Sequence, residues 1–93
     1  MSNKYEPGKI YALSAGYSMT YYKYYLIDRV SDKSVWATEL ASKFAGTADE
    51  GYNQRYYTVP DLTRPKGKSK AYRLTKYLGH EWDGKPLYED HMD

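Results

Sequence analysis

The chain has 93 residues, no cysteine, and 14 basic against 12 acidic side chains. That sizes it as a single domain over 1–93 and excludes disulfide frameworks and cysteine-ligated zinc or iron–sulfur centres. No apolar run approaches the roughly 20 residues of a membrane-spanning helix, and residues 1–8 lack a signal-like apolar stretch, so the expectation is a cytoplasmic protein with no membrane partner. Tyrosine occurs 13 times, against two tryptophans and one phenylalanine. Tyrosine rings must therefore fill much of the interior.

Short runs of Tyr, Val, Ile, Thr and Trp bounded by turn residues predict strands over 8–14, 21–30, 34–40, 54–59 and 70–75, with a short last strand near Leu87. In 21–30, period-two alternation puts Tyr21, Lys23, Tyr25, Ile27 and Arg29 on one face and Tyr22, Tyr24, Leu26, Asp28 and Val30 on the other. Large apolar groups on both faces mark this strand as central. The short polar stretch 31–33 suits a hairpin turn into the strand beginning at Ser34.

Residues 34–45 also fit a helix, with Ser34 as N-cap, Trp36, Leu40 and Phe44 at helical spacing, and Gly46 beyond the end. The tight turn before Ser34 favours a strand over 34–40, leaving 41–45 as a helical turn. Residues 47–53 read as an exposed loop, and Asp83-Gly84 as a type I′ turn between Trp82 and Pro86. Short strands in succession with little helix predict an all-β fold, a small coiled antiparallel sheet or SH3-like barrel of five to six strands.

Charge is polarised along the last third. Residues 62–80 hold six bases and no acid, while 81–93 hold one base and five acids. The bases Arg64, Lys66, Lys68, Lys70, Arg73 and Lys76 form a candidate contact for nucleic acid or for a charged protein surface. Neutralisation by the acidic tail is the structural alternative.

The cluster Tyr17, Tyr21, Tyr22, Tyr24 and Tyr25 is a candidate partner-binding face, because tyrosine combines a large apolar body with a polar tip at low rotamer cost. Residues 81–88 read as a structural clasp built on Trp82. His80, Glu81, Asp83 and His91 match no metal-ligand spacing, and no nucleophile or phosphate-loop motif is present. The expectation is a non-enzyme with no cofactor and no metal.

The run Gly16-Tyr17-Ser18-Met19-Thr20 leading into Tyr24-Tyr25, then Ser34-Val35-Trp36 and the final Trp82-Asp83-Gly84-Lys85-Pro86-Leu87-Tyr88, resembles a group of small proteins of phages, prophages and other mobile elements. These carry G-Y-x-x-T before an aromatic strand and finish on W-D-G-K-P. The resemblance covers the chain ends and the central hairpin, and implies a non-enzymatic, anti-defence context of the anti-CRISPR type. The expected function is steric occupation of a host protein or nucleoprotein complex. The alternative is a small β-barrel that binds nucleic acid through the basic loop and stacking tyrosines.

Overall fold

A computed structural model describes residues 5–15, 21–47 and 55–90. The described residues form strands β1 (Ile10–Ala15), β2 (Tyr21–Val30), β3 (Ser34–Thr47), β4 (Arg55–Pro65), β5 (Lys70–Arg73), β6 (His80–Glu81) and β7 (Leu87–Asp90), with no helix among them. All pairings are antiparallel, in the order β6-β1-β2-β3-β4-β7, with β5 also paired to β3. The sheet curls into a half-barrel. The all-β expectation is met. No helix of the described residues is long and apolar enough to cross a membrane.

Strand β2 is central, as its two apolar faces require, with β1 on one side and β3 on the other. The hairpin into β3 closes locally. Ser31 donates its amide to the Ser34 carbonyl at 2.9 Å, and Ser31 Oγ accepts the Ser34 amide at 3.2 Å.

Two expected strand bounds are corrected, one in β3 and one in β4. Residues 41–45 continue as strand instead of turning helically, because β4 offers them backbone partners from Ala41↔Asp61 to Phe44↔Thr58; long-range pairing outweighs local propensity. The resulting 14-residue strand would span about 46 Å if straight, at 3.3 Å per residue. Strand β4 likewise runs past Val59 to Pro65, taking in Pro60. Beyond Thr58 it has no β7 neighbour and is an edge strand, where proline is accommodated.

Strands β4 and β5 lie on the same side of β3, β4 against 40–47 and β5 against 34–37. The basic loop 66–69 is therefore an excursion between two collinear strands, anchored by the Lys66 amide on the Glu39 carbonyl at 2.8 Å.

The sheet carries a small core on each face. One packs Tyr11, Tyr25, Ile27, Val35 and Ala37 beneath Tyr5 and Leu78, with Val30, Tyr72 and Leu74 at its margin. The other packs Ala12, Tyr24 and Leu40 with Tyr22, Leu26, Trp82 and Leu87. Alternation holds through Ile27 and then fails. A β-bulge between Ile27 and Arg29 inserts Asp28, which reverses the phase, so Val30 joins the face of Ile27 and Arg29 turns to the other, 3.8 Å over the Trp36 ring.

After β5 the chain crosses the first core. There Tyr5 Oη accepts the Leu78 amide at 2.9 Å and donates to the Lys76 carbonyl at 3.3 Å. Gly79 then passes so close to Ala12 that a side chain there would collide with the Ala12 carbonyl, and its φ of +102° independently favours glycine. Residues 82–86 next carry the chain from one end of the sheet, β6, to the other, β7. The clasp exists, but the type I′ turn does not. Only Gly84 has positive φ (+90°) in that segment, and a type I′ turn needs two such residues. Instead Asp83 Oδ1 accepts the Lys85 amide at 3.0 Å, and Trp82 Nε1 donates to the Lys85 carbonyl at 2.7 Å.

Candidate interaction surface

The tyrosine cluster divides between interior and rim. Tyr24 and Tyr25 are 0% and 5% exposed, one in each core, and offer no ring to a partner; both are withdrawn as partner-binding residues. Tyr21 and Tyr22 are half-buried. Tyr17 lies outside the described residues, as do 48–53 of the expected loop and His91.

Tyr24 ends in a buried polar chain. The β2–β3 ladder stops at Tyr24↔Leu40, and beyond it the Tyr22 amide donates to Glu89 Oε2 at 3.3 Å. Thr58 Oγ1 donates to the same carboxylate oxygen at 2.8 Å. With its one hydrogen committed to Glu89, Thr58 Oγ1 receives the Tyr24 hydroxyl at 2.8 Å. Glu89 is buried and so joins β7 to β4 and β2. Burial pushes the Tyr24 hydroxyl up to about 12.

The six bases are all exposed. Lys66 Nζ is 3.6 Å from Glu39 Oε2, and Lys76 lies 6.0 Å over the Tyr72 ring. The other four make no ion pair among the described residues. Among the described residues, no acid of the tail pairs with these bases. Glu81 pairs with Lys9 at 3.1 Å and raises the Lys9 ammonium above its ordinary value by hydrogen bond and charge, Asp83 serves its own turn, and Glu89 is interior. Among the described residues no three His, Asp or Glu side chains group as metal ligands.

Sequence reasoning missed the aromatic groups that face solvent on the β3–β4–β7 arm. Tyr57 and Tyr88 are directly paired across β4 and β7, with ring centroids 5.9 Å apart at 67° and exposures of 37% and 41%. Gly46 is the cross-strand neighbour of Tyr57 on its other side, so that neighbour adds no side chain to the flank. Half-buried Val59 shares the face two residues along. Phe44, 62% exposed, leans on Tyr56 on the opposite face at 5.8 Å. Alternation in the predicted strand 54–59 separates Tyr56 from Tyr57, but only the partner strands decide which face stays open.

No family model matches the chain, and no curated protein or solved structure is similar to it.

Proposed function

We propose that the chain is a non-enzymatic binding protein that occupies the surface of a protein partner, with the Tyr57–Tyr88 pair as anchor. The observation that carries this reading is two exposed rings held edge-to-face on adjacent strands. Their ordering cost is met in the free protein, and the flank at Gly46 leaves room for a partner group. Rigid aromatic residues of this kind dominate binding energy in protein interfaces. The exposed cations supply orientation and association rate. The mobile-element resemblance of the W-D-G-K-P clasp makes a host defence complex the target class we favour, by steric inhibition at one copy per target.

The test is affinity capture from host lysate with and without nuclease, repeated with Tyr57→Ala and Tyr88→Ala. Capture that resists nuclease and loses about 30-fold in affinity with either substitution supports the reading, the loss expected of an interface anchor worth about 2 kcal/mol. The second reading, nucleic-acid binding, is favoured by the four cations that make no ion pair among the described residues. Salt-steep binding to bare DNA or RNA that survives both substitutions would establish it in place of the first.

A further inference from the structure

Backbone parity identifies an open edge on the basic side of the molecule. The Leu74 amide donates to the Lys33 carbonyl at 3.2 Å, so 33 and 74 form a hydrogen-bonded antiparallel pair. Because such pairs alternate, Val35↔Tyr72 and Ala37↔Lys70 are hydrogen-bonded too. The Ser31–Ser34 bond agrees, since it turns Ser34 toward β2 and Val35 toward β5. Ala71 and Arg73 therefore aim their backbone groups away from β3. The Arg73 carbonyl is taken by the Lys76 amide at 2.9 Å. The Ala71 amide, the Ala71 carbonyl and the Arg73 amide have no backbone partner among the described residues, and both residues are exposed.

We propose that this outer edge of β5 receives an extended acidic segment of a protein partner, which joins the sheet as an added strand beside Ala71 and Arg73. The proposal rests on the protein-binding reading and names the chemistry of the partner. Charge selects the occupant. Lys70 and Arg73 on β5, and Lys68 just before it, make no ion pair among the described residues. A second copy of β5, paired through the outward groups of Ala71 and Arg73, would set Lys70 or Arg73 opposite or diagonal to its own counterpart, and like charges so placed repel. An acidic strand meets the same cations with attraction and satisfies the outward backbone groups. Nucleic acid would satisfy the charges alone. At the far end of β5 an open groove of about 550 Å³, lined by Asp32, Lys33, Ser34, Arg73, Leu74 and Thr75, gives one side chain of the segment a seat over Leu74.

The test titrates the isotope-labelled full chain with a short alternating Glu-Val peptide, its Lys-Val counterpart, and the Glu-Val peptide N-methylated at alternate residues. N-methylation removes main-chain donors and keeps the charge. The expected result is that Glu-Val protects the Ala71 and Arg73 amides from exchange, that Lys-Val does not bind, and that N-methylation weakens binding about tenfold, the worth of one or two hydrogen bonds. Ala71→Pro should abolish the protection while the β3-facing Tyr72 amide stays protected, because the Ala71 amide contributes nothing to the β3 ladder. If that variant unfolds, the N-methylated peptide still decides. Equal affinity of the N-methylated peptide, or an oligothymidylate that displaces Glu-Val with a steep salt dependence, overturns the proposal. Loss of strand addition with retention of the Tyr57 and Tyr88 effects in capture would remove this edge and leave the protein-binding reading standing.

Discussion

Tyr24 and Thr58 meet hydroxyl to hydroxyl at 2.8 Å, which ties the middle of β2 to β4 across the point where β2 and β3 part. The bond carries direction, because Thr58 spends its hydrogen on the Glu89 carboxylate and Tyr24 must donate. A tyrosine drawn from the most aromatic stretch of the chain thus serves as a structural rivet.

Removing the rivet should be measurable without disturbing the ring. Tyr24→Phe is expected to cost about 1 to 2 kcal/mol, the worth of a buried hydrogen bond. Thr58→Val should cost more, about 2 to 3 kcal/mol, since it leaves the buried Glu89 carboxylate short of a donor. Urea unfolding of the two variants checks the order; a larger loss in Tyr24→Phe would contradict the assigned direction of donation.

Alkaline stability follows from the same burial. The Tyr24 hydroxyl is held at about 12, above its ordinary value of 10.0, and burial moves Tyr11, Tyr25, Tyr56 and Tyr72 in the same direction. A group whose folded value is the higher adds stability that is complete below the unfolded value and is lost as pH rises through the folded one. Stability should therefore hold up to about pH 10 and fall between about 10 and 12. Tyrosinate absorbance should rise together with unfolding, and Tyr24→Phe should shift the fall to higher pH.

Two glycines of similar backbone conformation should respond differently. Gly79→Ala meets both positive φ and the Ala12 carbonyl, and should cost about 3 kcal/mol or more. Gly84→Ala meets positive φ with nothing within 4 Å of the new carbon, and should cost about 1 to 2 kcal/mol. Thermal melts of the pair separate collision from conformational strain.

The clasp divides into packing and polar parts. Trp82→Phe keeps a ring against Leu87 and loses the bond to the Lys85 carbonyl, at an expected cost of about 1 kcal/mol. Trp82→Ala also empties its place in the second core and should cost about 3 kcal/mol. Exchange protection of β7 should fall before that of β2 in both, because the clasp delivers β7 to its place beside β4.

The residues alone determined the β class, the bounds of the central strand at Tyr21 and Val30, and the tight turn at 31–33, because aromatic and β-branched composition and a short polar turn act within a few residues. They also carried the clasp around Trp82, though not its geometry. What escaped them depends on contacts distant in the chain. Ala41 to Ala45 became strand because β4 supplied hydrogen-bond partners that local propensity cannot register. One inserted residue, Asp28, reversed the facing of Arg29 and Val30. The fate of each tyrosine was settled by the strand lying across from it: Tyr24 and Tyr25 are covered on opposite faces by elements from the other end of the chain, while Tyr57 and Tyr88 stay open because Gly46 is the cross-strand neighbour of Tyr57 on its other side. Burial is a property of the assembled sheet, so only the tertiary structure could move the candidate surface from β2 to the β4–β7 arm and the outer edge of β5.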